Sequence, residues 1–514
     1  MNKVIFDFKY VMIVTLFIFI LTGCTKNSNT SKGAALFETQ CARCHISPDI
    51  NHLPKDLWAN AVLPEMGARM GIKEGNFKPY KGMGFEEMEI IHNSAIYPFI
   101  PSLNEADWKI LKEYIISNAP DSLPKIKVRV NAKPQNRFRS HPISLDTLAG
   151  SFITFLKYQS EGNRLWAGDI GGNLIEYGFD TAESQTIGKT ENAIVDYTVR
   201  DTVSYITDIG ILNPSELSSG KIIANSGNRQ VALPHILHRP VNNLVVDLNN
   251  DGSDEMVVSE FGNLIGSLSL LSLDENGEYK KSILLGQPGS TRTIAKDMDK
   301  DGQLDLIVLT SQGDESITIL YQKENLNFSA EKVIRFSPIY GTSWFEMIDY
   351  DGDGDDDIVT VNGDNADKTY VHKPYHGLRL YLNDGNNVFT EVFFYPLNGA
   401  TRFVVNDFDQ DGDFDFAVIS TFPDYENAPE LALVYLENVD KTSYNFKPFT
   451  FKEVNLSRWF LMDTGDFDLD GDQDIILSAL TYSFTPVPPA LSNAWNETKA
   501  DLLFLENTLI VKDQ

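Results

Sequence analysis

The stretch KDMDKDGQLDLIVLT, residues 296–310, sets an acidic loop directly before a run of apolar, partly β-branched residues. Carboxylates stand at Asp297, Asp299, Asp301 and Asp305, which are loop positions 1, 3, 5 and 9, and Gly302 occupies position 6. Oxygen ligands at those positions, a backbone carbonyl at 7 and a glycine for the sharp turn make a cage suited to a hard cation such as Ca²⁺. The pattern recurs at Asp247, Asn249, Asp251 and Glu255; at Asp349, Asp351, Asp353 and Asp357; at Asp407, Asp409, Asp411 and Asp415; and at Asp466, Asp468, Asp470 and Asp474. The first aspartates are 50, 52, 58 and 59 residues apart. An EF-hand does not fit. Position 12 is Val308 in one loop and Thr360 in the next, where a bidentate Glu is needed, and the flanks DLIVLTS, DIVTVNG, DFAVIST and DIILSAL are strand-like.

Apolar run, metal loop and apolar run repeating at about 50 residues suggest the blades of a propeller. The repeat resembles the FG-GAP or VCBS repeats of integrin-type β-propellers. Five blades are expected to begin near 241, 292, 344, 402 and 459, and two without the motif fit around NRLWAGDIGGNLIEYG (163–178) and VSYITDIG (203–210). The expectation is a seven-bladed propeller over 141–514, with calcium stapling blade turns rather than doing chemistry. A closed ring leaves no long sheet edge, which suits a chain with no disulfide framework. Five bound Ca²⁺ would bring the formal net charge from -29 to -19.

The N-terminal part reads differently. Residues 1–23 carry Lys3 and Lys9 ahead of an apolar run from Tyr10 to Leu21, too short to span a bilayer comfortably and suited to a cleaved signal peptide. Leu21-Thr-Gly-Cys24 resembles a bacterial lipobox, which implies lipidation at Cys24, and residues 24–32 read as a polar tether. Cys41-Ala-Arg-Cys44-His45 is a C-x-x-C-H motif: two thiols a helical turn apart form thioethers to a haem, with the next imidazole beneath the iron. The flanks predict a helix running into Cys41 and a second over Leu103–Ala119, with Trp108, Leu111 and Ile115 on one face, Asn104 as start signal and Pro120 as stop. Together these resemble a class I cytochrome c domain over 33–122, so the fold class expected is a small all-α domain followed by an all-β propeller. The family's usual sixth-ligand stretch, here Ala95–Pro101, lacks Met; Met66 is the favoured iron ligand, Met70 the alternative, with Met83, Met88 and His92 as further candidates.

Residues 123–140 are a basic linker with Lys125, Lys127, Arg129, Lys133, Arg137 and Arg139, either docked on the acidic propeller or solvated. Arg200, Arg239, Arg292, Arg402 and Arg458 recur near the starts of blades, with Ser343-Trp344 in that place once. They either ring a channel and bind an anion or pair with neighbouring aspartates. His235/His238 and His372/His376 lack a recognisable third ligand and read as loop histidines. With 43 Lys plus Arg against 72 Asp plus Glu, nucleic acid is excluded as a partner for the whole surface. The function expected is an exported haem c electron-transfer lipoprotein, an electron carrier rather than a catalyst, in the bacterial cell envelope at the outer membrane. It would exchange electrons with a redox partner protein, and the propeller face would offer room for a small-molecule or glycan ligand. A quinoprotein-like dehydrogenase oxidising a sugar or alcohol, and a glycan- or protein-binding adhesin, are the alternatives.

Overall fold

The structure is a computed structural model that describes residues 28–74, 77–125, 133–227, 229–364, 370–440, 442–482 and 485–510. The predicted signal peptide and Cys24 lie outside the described residues. No described helix is long and apolar enough to cross a membrane.

Seven antiparallel sheets follow one another along the chain. Their first strands are Ile153–Gln159, Ile194–Arg200, Pro240–Val246, Ser290–Lys296, Thr342–Ile348, Ala400–Asn406 and Trp459–Gly465. These strands neighbour one another in order and the last returns to the first, so the sheets form a closed seven-bladed propeller around a channel. The five motif-bearing blades begin within two residues of the expected positions. Their second strands, Glu255–Glu260, Asp305–Thr310, Asp357–Asn362, Asp415–Ser420 and Asp474–Ala479, are buried along their whole length. Sandwiched between neighbouring blades, they have no solvent face to alternate toward, which is why they read as unbroken apolar runs.

The ring closes with a strand from the other end. In the seventh blade, Phe138–Ile143 pairs antiparallel with Leu502–Asn507, from Phe138 opposite Asn507 to Ile143 opposite Leu502. Lys133–Pro134 adds in parallel to Phe446–Thr450 of the sixth blade. The propeller therefore reaches back into the segment read as linker. Phe138 is buried against Phe408, Tyr435 and Phe451, and this apolar anchor draws the chain in. Arg137 pairs with Asp409 and Glu437, and Arg139 with Glu506, so these linker charges are docked on acidic blades.

Before the propeller the helices are few and short: α1 (Ser28–Leu36), continued by a π turn over Phe37–Cys41, α2 (Leu63–Arg69), α3 (Phe85–Asn93) and α4 (Glu105–Asn118). The helix begins at Ser28, inside the predicted tether, because α1 packs on α4: a Cβ on Gly33 would lie 2.5 Å from Tyr114 Cβ. Asn104 caps α4, its side chain accepting from Asp107 N at 2.9 Å. Leu53, Trp58, Leu63, Trp108, Leu111 and Ile115 form the buried core of this segment.

The helical segment sits on the propeller. Tyr375 Oη donates to the His52 carbonyl at 3.0 Å, the His52 and Tyr375 rings are 4.4 Å apart, and Tyr340 stacks on Tyr375 at 5.2 Å. Glu87 of α3 accepts from Glu216 N at 2.7 Å and Ser215 Oγ at 3.1 Å. These propeller residues belong to connections between second and third strands or between blades, whereas the acidic loops join first to second strands. Helical segment and acidic loops therefore occupy opposite faces of the disc.

The closing strand should dominate stability. Phe138→Ala, which empties a buried aromatic site, is expected to lower unfolding free energy by about 3–5 kcal/mol in a denaturant titration; Val388→Ala, at an exposed site, should change it by less than about 0.5 kcal/mol.

Candidate functional site

All five acidic loops adopt one conformation. The position-1 carboxylate accepts from the backbone N–H of position 6: Gly252 to Asp247 at 2.9 Å, Gly302 to Asp297 at 2.9 Å, Gly354 to Asp349 at 3.1 Å, Gly412 to Asp407 at 3.0 Å and Gly471 to Asp466 at 3.1 Å. Those glycines have φ from 87° to 101°, a left-handed backbone that a Cβ would strain. Among the described residues, four loops bring three carboxylates within 4.8 Å: Asp297, Asp299 and Asp305; Asp349, Asp351 and Asp353; Asp407, Asp409 and Asp411; Asp466, Asp468 and Asp474. The loop at Asp247 has Asn249 where the others have a position-3 carboxylate, and its amide donates to Asp251 at 3.0 Å. Asp409 Oδ1 is buried with no hydrogen-bond partner, as are Asp413 Oδ1 and Asp472 Oδ1, although Arg137 pairs with the other oxygen of Asp409.

The position-9 carboxylate has a second job that its place in the repeat does not reveal. Asp305 accepts from Met298 N and Gln322 N at 2.8 Å each; Asp357 accepts from Tyr350 N and Asn383 N at 2.9 Å each; Asp474 accepts from Phe467 N at 2.9 Å and Asn507 N at 2.7 Å. One side chain thus ties the loop to the end of the third strand. Burial pushes these carboxyls up, Asp357 to about 6, Asp415 to about 7 and Asp474 to about 8, with neighbouring loop carboxylates adding to the rise. In calcium-free buffer, Asp305→Ala should cost about 2–4 kcal/mol by orphaning two buried N–H groups. Asp299→Asn, at an exposed position where it loses only a surface pair with Lys323, should cost less than about 0.5 kcal/mol there, and any gain in melting temperature on adding calcium should shrink.

Cys41 ends the π turn and Cys44 lies beyond it, and both thiols are free. Burial pushes the Cys41 thiol up to about 11. His45 Nδ1 lies 2.8 Å from the Ile46 carbonyl, which can only accept, so Nδ1 donates to it. Met66 is half-buried on α2; Met70 caps that helix and packs against the helical core; Met83 and Met88 lie before and within α3, and exposed His92 stands 5.1 Å from the Phe99 ring.

The recurring arginines separate into two groups. Arg200 forks onto Asp254, Arg239 Nη1 holds the carbonyls of Ile211, Leu212 and Asn213, and buried Arg458 reaches Thr421, Tyr482 and Thr485. Arg292 and Arg402 both stack on Trp344. His235 Nε2 donates to the Tyr279 carbonyl, His238 lies 3.4 Å from Glu216, His372 lies 3.7 Å from Asp424, and His376 is buried with its pKa held well below the ordinary value by burial and by Lys373 and Arg379. None of them joins a cluster of three metal-ligating side chains among the described residues.

Two features of the docked face carried no signal beforehand. A cleft of about 1060 Å³ runs between Pro54 and Asp121 on the helical side and Tyr370, His372 and Asp424 on the propeller. Glu315, buried in the fourth blade, accepts from Gly341 N, Thr342 N and Thr342 Oγ1 and so fixes the turn that presents Tyr340 to His52. Burial pushes its carboxyl up to about 8. A raised folded pKa means the native state holds this proton where the unfolded chain, with a pKa of about 4.3, releases it. Glu315 therefore contributes its full stability below about pH 4, and loses it as pH rises toward 8. Relative to the unsubstituted protein, Glu315→Gln should become steadily more favourable between pH 5 and 8 in thermal melts, by comparison at each pH.

Solved structures similar to the chain, at low scores, include a β-propeller domain and a WD40 domain. The Myceliophteria thermophila Cps50 (Swd1) propeller domain is 10% identical, with 65% of this chain and 96% of that one covered and a TM-score of 0.41. The Neurospora crassa Pan2 WD40 domain is 12% identical, covering 73% and 96% with a TM-score of 0.40, and the N-terminal domain of Nup159 is 11% identical, covering 73% and 97% with a TM-score of 0.39. The blade count rests on the strands themselves. No curated protein matches the chain. The FG-GAP-like repeat family matches residues 297–360, from the fourth-blade acidic loop to the second strand of the fifth blade.

Proposed function

We propose that the protein is an exported haem c electron-transfer lipoprotein whose calcium-stapled propeller docks a redox partner or a ligand. The observation that carries this reading is the Cys41–His45 segment: two free thiols follow a packed helix, and the adjacent imidazole has Nδ1 tied to a carbonyl. A carbonyl partner on Nδ1 is the arrangement that fixes the tautomer and orientation of a ligating histidine. Haem c, held by Cys41 and Cys44 and ligated by His45, would supply a reversible one-electron couple. Met66 remains the favoured sixth ligand, since its thioether is not committed to the helical core as that of Met70 is. The helical core and the contacts of His52 and Glu87 hold this segment against the propeller, so the electron-carrying end has a fixed seat.

The acidic loops fit calcium by donor type and by the inward carboxylate oxygens that lack partners. The ligands would be Asp297, Asp299, Asp301 and Asp305 and their counterparts in the other loops. Their role is structural: calcium on the face away from the helices keeps the blade turns from repelling one another. The propeller architecture is consistent with ligand or protein binding, and the cleft between helical segment and propeller is the favoured place for it. Lipidation at Cys24 would hold the molecule in the cell envelope, at the outer membrane, beside a redox partner.

The test is an optical spectrum of protein matured with haem-attachment machinery, oxidised and reduced. A c-type spectrum is expected that disappears in Cys41→Ala/Cys44→Ala. A methionine-to-iron charge-transfer band should vanish in Met66→Ala and persist in Met70→Ala. Without attached haem the electron-transfer reading fails, and a calcium-dependent binding propeller remains.

A further inference from the structure

The first strand of every blade has a β-bulge in which the register skips its second residue, and pairing resumes at the third. In blades four, five and six that residue is Arg292, Trp344 and Arg402. The two guanidinium carbons lie 3.8 and 3.4 Å from the centroid of the Trp344 ring, so two cations share one indole. Only one of them makes a hydrogen-bonded ion pair. Arg292 Nη2 donates to Glu346 Oε2 at 2.8 Å, and Glu346 spends its other oxygen on Trp344 Nε1 at 2.9 Å. Arg292 Nε is buried with no hydrogen-bond partner. The Arg402 side chain has no hydrogen bond or ion pair among the described residues.

The other carboxylates of the inner strands are already engaged. Asp196 accepts from Asn243 N at 2.7 Å and Asn242 Nδ2 at 2.9 Å; Asp463 accepts from Tyr158 N at 2.7 Å and Thr464 N at 2.9 Å. Arg402 is thus a half-buried guanidinium beside a second cation, within electrostatic reach of Glu346 and Asp463 but hydrogen-bonded to neither, with its donor fork unused. A charge so placed costs free energy unless a counter-charge meets it.

We propose that Arg402 and Trp344 form an anion site in the propeller channel, and that its ligand is the carboxylate of a small organic acid. A carboxylate matches the guanidinium fork in two parallel hydrogen bonds and lies flat enough to share the indole face. A phosphate dianion is disfavoured, because Glu346 and Asp463 would repel its second charge more strongly than they repel a single one. The site does not depend on haem attachment.

Isothermal titration of the full, calcium-loaded protein in a carboxylate-free buffer tests this, with acetate, succinate and citrate as separate probes and inorganic phosphate as a fourth arm. At least one carboxylate is expected to bind at one per chain. Arg402→Gln should weaken it about tenfold or more, the worth of a charge-assisted pair, while Arg200→Gln leaves it unchanged. Arg402→Lys, which keeps the charge and loses the fork, should also weaken it and decides the matter if the glutamine variant does not fold. Absence of binding by all three acids, equal affinity in both Arg402 variants, or phosphate binding as tightly as the best carboxylate would each overturn the proposal.

Discussion

One strand pairing governs this molecule. Phe138–Ile143 lies against Leu502–Asn507 and so joins the beginning of the propeller to its end. A ring held this way has few free edges, and its seven first strands enclose a channel whose lining is set by register. The same strand fixes where the preceding chain emerges. Because Arg137, Phe138 and Arg139 are tied to the sixth and seventh blades, the helical segment is drawn onto the face carrying the connections between second and third strands. His52, Tyr340 and Tyr375 then lock it there.

Opposite that face, each acidic loop concentrates charge in a turn that its own backbone shapes. The position-1 carboxylate is satisfied by backbone N–H groups and the position-9 carboxylate by the loop and the third strand. Hence the turn is shaped by its own backbone without an ion, and what remains unsatisfied is charge rather than geometry. The proposed cation would need only to neutralise preformed oxygens, which would lower the ordering cost of binding. The raised pKa values of Asp357, Asp415 and Asp474 express the same strain as proton affinity.

The propeller was legible because its signals are local and repeated: acidic loop, glycine, buried strand. Even the two motif-free blades could be placed by spacing. The seventh blade's outer strand was not, since nothing in FRSHPI marks a partner more than 350 residues away, and its basic neighbours suggested a solvated connector. The helix α4 was visible from Asn104 and the Trp108, Leu111, Ile115 stripe, whereas the start of α1 was hidden in a polar stretch that only packing on Tyr114 makes helical. Periodic arginines were visible as a set, but their divergence was not: Arg239 and Arg458 serve backbone carbonyls, and only Arg292 and Arg402 meet, because Trp344 stands between them. Docking through His52 depends on two loops distant in sequence, and sequence carries no mark of it.

The central proposal is that the helical segment mounted on this propeller is an electron carrier with a covalent haem at Cys41 and Cys44. Mass analysis of the peptide containing residues 41–45, from protein matured alongside haem-attachment machinery, tests it most directly. The account predicts a peptide heavier by one haem, with neither thiol available to an alkylating reagent. An unmodified peptide with both cysteines alkylated would contradict it.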